Sequence, residues 1–170
     1  ETINKNFWPT VWCTRAALPF MIEQHETSVT GVGGNIVTLA THALVGLNRV
    51  PYAAAKGGLI GLTTSVCKEV GRYGIRINCV APSGNSGKVT VHPRDYRLEH
   101  VERSVVPENA LIDQPVDQEG NREERPLSLG LNRPATVEEV AAAIAFVASD
   151  DAGYISGEVI SVGGGETFPF

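Results

Sequence analysis

Two continuous apolar runs, Asn35-Ile-Val-Thr-Leu-Ala40 and Ile75-Arg-Ile-Asn-Cys-Val80, frame a helical pattern over residues 51–71. Apolar runs of this length without alternation read as strands covered on both faces. Between them, Leu59, Leu62, Thr63, Val66 and Val70 recur at helical spacing. Two buried strands joined by a helix form a βαβ unit with a parallel pair, which sets the class as α/β.

The flanking segments fit around that unit. Residues 3 to about 24 read as one helix, with Phe7, Trp8, Val11, Trp12, Ala16 and Leu18 near helical spacing. Pro9 falls near its start, where a first turn tolerates proline. Gly31-Val-Gly-Gly34 precedes a strand. A dinucleotide loop follows a strand and opens a helix, so this glycine run reads as a turn. Thr136-Val-Glu-Glu139 has the form of a capping box, and Val137, Val140, Ala141, Ile144, Val147 and Ala148 make the expected buried stripe behind it. A last strand spans residues 158–162 and ends at Gly163-Gly-Gly165, which no helix follows. Residues 83–135 are rich in Ser, Gly, Pro and charge, with a short helix predicted around Arg97 to Arg103. So long an irregular stretch reads as a functional lid or a disordered segment.

Bulk properties narrow the function. A chain of 170 residues suits one domain, and 42% apolar with 19% charged content suits a soluble globular protein. No run of eighteen apolar residues indicates a membrane span, and the first residues lack the apolar core of a signal peptide. The net charge of −5 gives no basic footprint for nucleic acid. Cys13, Cys67 and Cys79 lack metal-ligand spacing and are predicted to be reduced, buried thiols of a cytoplasmic protein. No base stands beside any of them, which argues against a thiol nucleophile.

Tyr52-Ala-Ala-Ala-Lys56 carries the chemistry. At i, i+4 the phenol and the ammonium share one helix face. The positive charge favours the phenolate, which can exchange a proton with a substrate hydroxyl. Such a spacing is common on surface helices. Specificity comes from its surroundings: a strand ending in Thr41 before it, Gly57-Gly58 after the lysine, and a strand ending in Ala81-Pro82 beyond.

In that order of motifs the chain resembles the short-chain dehydrogenase/reductase family. Phe146-Val-Ala-Ser-Asp150 and Tyr154-Ile-Ser-Gly-Glu-Val-Ile-Ser-Val-Gly-Gly164 are similar to the family's carboxyl-terminal signature. The likeness covers nearly the whole chain except roughly residues 85–130. It implies the carboxyl-terminal part of a doubly wound Rossmann-type parallel sheet, with helices on both faces. The family's Gly-rich strand–turn–helix, cofactor-selector residue and Asn-Asn-Ala-Gly motif have no counterpart. Residues 1–170 are therefore expected to be a partial domain without the Gly-rich cofactor half, with 85–130 as substrate loop.

The resemblance also implies roles. Tyr52 would be the acid/base and, with Lys56, part of the cofactor-binding set; Lys56 would stabilise the phenolate and hydrogen-bond the nicotinamide ribose. Thr41 stands where the family usually has serine and would hold the substrate oxygen. It lies 52 − 41 = 11 residues before the tyrosine, a slightly short spacing, and the fallback Thr38 points to the other face of the strand. Asn6 resembles the family's relay asparagine and reads equally as a helix cap. Pro82, Ser83 and Gly84 occupy the turn that contacts the nicotinamide through its backbone, with Ser83 at the usual glycine. His42 reads as a solvated loop histidine, with the pocket mouth as the alternative. Arg49, His92, Arg94 and Arg97 are candidates to grip an anionic substrate, or ordinary surface charges.

Asn48-Arg-Val-Pro-Tyr-Ala-Ala-Ala-Lys-Gly-Gly58, together with Val162-Gly-Gly-Gly165 where many members have Val-Asp-Gly-Gly, resembles the cis-dihydrodiol dehydrogenases of benzoate and p-cumate breakdown. That implies oxidation of an aromatic cis-diol carboxylate to a catechol. NAD is the expected cofactor, with NADP open, and no metal is called for. The family's interface helices, which correspond to residues 3–24 and 51–71, imply a homotetramer or homodimer. Trp8 and Trp12 fit that interface or the core. The alternatives are another short-chain alcohol or 3-oxoacyl reductase, or a non-catalytic fragment.

Overall fold

Parallel strands covered on both faces need a partner layer on each side, and the chain supplies both. The structure, a computed structural model, describes residues 1–42, 44, 50–83, 131 and 135–165. Strand β1 (Gly34–Leu39) pairs in parallel with β2 (Ile75–Pro82), Ile36 opposite Ile77 and Thr38 opposite Cys79. Strand β3 (Val159–Val162) adds in parallel on the far side of β2, with Ala81 opposite Ser161. The order is β1-β2-β3, so β2 is central and buried from Ile77 to Ala81. Among the described residues, β1 has a strand on one side only.

Helix α3 (Val50–Val70) lies on one face of the sheet. The Thr38 hydroxyl, on that face of β1, is 2.8 Å from Thr63 Oγ1 of α3. Helix α4 (Val137–Ala148) covers the opposite face. There Asn35 donates its amide to the Ala148 carbonyl, and the neighbouring Arg76 donates to the carbonyls of Val147 at 3.1 Å, Ser149 at 2.8 Å and Ile155 at 3.3 Å. The guanidinium thus satisfies carbonyls that a helix end leaves without partners, and its charge complements the helix dipole. Buried Asn78 joins β2 to the approach of β3, donating to Ile155 O at 2.8 Å and accepting from Glu158 N at 3.0 Å. A parallel sheet with helices on both faces is the Rossmann-type arrangement expected for the carboxyl-terminal part of a doubly wound domain.

The predicted helix 3–24 is two helices, α1 (Thr2–Asn6) and α2 (Trp8–Thr27). They meet at Phe7, whose φ and ψ are −118° and −61°. A continuous helix would place Pro9 in its interior, where its ring collides with the carbonyl four residues back. Restarting at Trp8 puts Pro9 in a first turn, where no N–H is needed. The Phe7 ring then packs on α3 at Gly58, where an added Cβ would lie 2.9 Å from Phe7 Cε2. Trp8 and Trp12 stack at 5.5 Å on the exposed side of α2 and are not core residues.

The expected α4 stripe is also narrower. Val140 and Val147 are buried and Ile144 half-buried, while Val137, Ala141 and Ala148 are exposed. A single helix lying on a three-stranded face buries one line of side chains. The cysteines are free, as expected, but Cys13 is exposed and Cys67 only half-buried; Cys79 alone is fully buried. Cys13 lies on the outward side of α2, whose only buried residue is Thr14.

The capping box at α4 is present in full. Thr136 Oγ1 accepts from Glu139 N at 3.2 Å, and Glu139 Oε2 accepts from Thr136 N at 2.8 Å. Thr136→Ala is expected to lower stability by about 1 kcal/mol. Urea unfolding should register this as a lower midpoint with unchanged slope.

The turn predicted at Gly31–Gly34 lies slightly earlier: Gly31 N donates to Ser28 O at 3.3 Å and closes it, residues 31–33 are the irregular entry, and Gly34 already belongs to β1. Gly33 N donates to Gly74 O at 3.1 Å, so the turns entering β1 and β2 nest against each other.

Candidate active site

Because β1 and β2 are parallel, α3 must run back along the sheet, and its first turns stand at the strands' carboxyl ends. Tyr52 and Lys56 occupy those turns. The Lys56 ammonium lies 5.9 Å from the centre of the Tyr52 ring. Lys56 Nζ also donates to the Leu39 carbonyl at 2.8 Å. Ala40 N bonds Val80 O and His42 N bonds Pro82 O, so even-numbered residues face β2 at this end of β1. The Leu39 carbonyl therefore looks the other way, toward the side of β1 where no described strand lies.

Burial pulls the Lys56 ammonium below the usual lysine range, and the nearby Cys79 sulfur opposes that shift. Burial raises the Cys79 thiol, while Thr38, the Ala40 backbone and Lys56 act the other way. Lys56 thus stands in a partly desolvated setting, where its charge acts on neighbours through less water.

Thr41 is buried directly beyond β1, between two anchored neighbours. Ala40 N donates to Val80 O at 2.9 Å, and His42 N donates to Pro82 O at 3.0 Å. Two residues of strand carry the chain about 6.6 Å beyond Leu39. Four residues of helix carry Tyr52 about 6 Å from Lys56 in the same direction. From the Lys56–Leu39 bond, Tyr52 and Thr41 thus both lie toward the carboxyl end of the sheet. Thr38, the fallback, has its hydroxyl inside the core, between Thr63 Oγ1 and the Asn78 carbonyl.

The other predicted residues fall into place differently. Asn6 ends α1 and donates to the Thr2 carbonyl at 3.0 Å; Phe7, not Asn6, caps α2. Pro82 has no N–H, and its carbonyl accepts from His42 N. Ser83 N donates to Val162 O at 3.1 Å, which continues the ladder to β3. Gly84, Arg49, His92, Arg94, Arg97 and the 85–130 loop lie outside the described residues. His42 is not solvated: it is 5% exposed, with Nε2 2.5 Å from Ser161 Oγ. Its burial depends on Gly163, and no local pattern around His42 signals that. No cluster of His, Cys, Asp or Glu suited to a metal ion occurs among the described residues, nor any helix long and apolar enough to cross a membrane.

Comparison with known proteins places this arrangement. Residues 1–95 match the family model described as short chain dehydrogenase, and residues 89–167 match that of enoyl-(acyl carrier protein) reductase. The chain is 34% identical over 166 residues to a 1,6-dihydroxycyclohexa-2,4-diene-1-carboxylate dehydrogenase of Acinetobacter baylyi, covering 98% of this chain and 57% of that protein. It is 31% identical over 170 residues to a 2,3-dihydroxy-2,3-dihydro-p-cumate dehydrogenase of Pseudomonas putida, covering 98% and 54%. The crystal structure of an oxidoreductase of the short chain dehydrogenase/reductase family from Burkholderia thailandensis superposes with a TM-score of 0.66 at 25% identity, over 94% of this chain and 52% of that one. The chain thus spans about half the length of the curated relatives it matches.

Proposed function

The chain belongs to the short-chain dehydrogenase family, and from that premise we propose that it carries the proton-transfer part of an alcohol-oxidising site. The substrate is an aromatic cis-dihydrodiol carboxylate and the product a catechol. The observation that carries the proposal is the Lys56 ammonium, held on the Leu39 carbonyl and facing Tyr52 one helical turn away. Tyr52 Oη accepts the proton of the substrate hydroxyl. Lys56 stabilises the phenolate form that takes up this proton, and the Thr41 hydroxyl holds the substrate oxygen beside Tyr52.

The residues present fit the ribose end of a nicotinamide dinucleotide. An ammonium has three protons, of which Leu39 takes one, and ribose hydroxyls are suitable acceptors for the others. When bound, that group supplies the hydride acceptor. The substrate carbon loses a hydride and its oxygen a proton, which gives a ketone; the ring then becomes the catechol by losing a proton from the neighbouring carbon, or carbon dioxide where that carbon bears the carboxylate, and recovered aromaticity draws this step on. The likeness to two dehydrogenases named for ring diol carboxylates supports this substrate class.

The test is a substrate panel on the complete protein, with NAD and NADP and nicotinamide absorbance as readout. The panel holds carboxylated ring cis-diols, simple secondary alcohols and a 3-oxoacyl thioester. Highest kcat/KM for the ring diols with NAD is expected. Preferential reduction of the thioester would replace this proposal with the 3-oxoacyl reductase alternative.

A further inference from the structure

We propose that His42 is a positioning residue for Thr41, through a ring that fits a slot made by Gly163. The inference rests on the reading of Tyr52 and Thr41 as the alcohol-oxidising pair. Thr41 stands one residue before the chain leaves β2. His42 N donates to Pro82 O at 3.0 Å, and the His42 carbonyl accepts from Leu44 N at 2.8 Å. The backbone therefore passes from strand to tight turn at His42 itself.

The ring fixes that transition to the far strand of the sheet. Nε2 lies 2.5 Å from Ser161 Oγ on β3. A Cβ added at Gly163 would lie 2.6 Å from His42 Cε1, 2.8 Å from Nε2 and 3.0 Å from Ser161 Oγ. Any side chain at 163 would thus displace the imidazole. At Nε2 the Ser161 hydroxyl offsets part of the hydration that so buried an imidazole loses. His42 and Ser161 together tie the chain end of β1 to β3, across β2, immediately after the hydroxyl that must meet the substrate. Catalytic geometry tolerates little movement: a displacement of about 1 Å can lower a rate by about a hundredfold.

The experiment is a mutant cycle in the complete protein, assayed with the ring diol it turns over best and saturating coenzyme. Active-site titration corrects kcat for misfolded protein. His42→Ala is expected to lower kcat by about tenfold or more and to leave KM for the coenzyme unchanged. His42→Gln, whose amide can reach Ser161 Oγ, should recover most of the loss. A merely structural role would move the unfolding midpoint without this selective loss of kcat and its rescue. Gly163→Ala should also lower kcat, and should add little once position 42 is alanine, because the colliding ring is gone. If His42→Ala does not fold, the Gln variant and Gly163→Ala still decide the matter. Retention of kcat within about twofold in His42→Ala, or effects that simply add, would overturn the inference. Absence of diol oxidation by the unaltered protein would instead sink the functional proposal, and this one with it, before any variant is made.

Discussion

Tyr52→Phe is expected to lower kcat for diol oxidation by about 10²- to 10⁴-fold, the usual weight of a positioned general acid or base. The substitution deletes one oxygen and keeps the half-buried ring, so its packing on α3 is retained. Lys56 stays tied to the Leu39 carbonyl, and Thr41 stays between its two backbone anchors. Circular dichroism and the urea midpoint should be those of the parent protein. KM for the coenzyme should change far less than kcat, because Lys56 remains in place for it. Steady-state kinetics with the preferred diol make the measurement. Turnover near that of the parent would show that the proton leaves by another route, and the assignment of Tyr52 would fail.

The largest structural effect is expected at Gly33. An alanine Cβ there would lie 2.3 Å from the Tyr73 carbonyl oxygen and 2.6 Å from Ile75 Cγ1. The carbonyl is backbone and cannot rotate away. The facing turn offers no room to retreat, because Gly74, at φ +60°, would itself place a Cβ 2.1 Å from the Gly31 carbonyl. These two turns start β1 and β2, so separating them shifts the register of the whole parallel pair. Gly33→Ala should destabilise by about 3 kcal/mol or more, a large share of the roughly 5–15 kcal/mol that a domain possesses. Gly61 is the control: it is exposed on α3, and a Cβ added there would meet no foreign atom within 4 Å, so alanine should be neutral or stabilising. Equal urea midpoints for Gly33→Ala and its parent would show that the turns do not nest as described.

What could be read from the sequence was local. The βαβ unit and the facing of Thr38 away from Leu39 and Thr41 follow from periodicities of two and 3.6, the capping box at Thr136 from a glutamate three residues on, and the structure reproduces them within a residue or two. The interrupted helix at Phe7 was partly legible, since Pro9 signals a start, but the packing of Phe7 on Gly58 was not. Long-range partners account for the rest. Arg76 finds its carbonyls 71 to 79 residues away, and His42 finds Ser161 119 residues away. A histidine after a strand therefore reads as solvated until the glycine that makes its slot is known. Cys13 is a similar case, because the sequence gives α2 apolar residues all round and does not reveal which side meets the sheet.

The Lys56–Leu39 bond has a consequence apart from catalysis. An open strand edge attracts strands from other chains, and natural proteins guard such edges with charge, lysine above all. Lys56 places its ammonium on a carbonyl of β1 that an incoming strand would need. To add there, a second chain would have to displace that cation and strip more water from it. Among the described residues no strand pairs with β1 on that side, so the cation stands where a further strand would meet the Leu39 carbonyl.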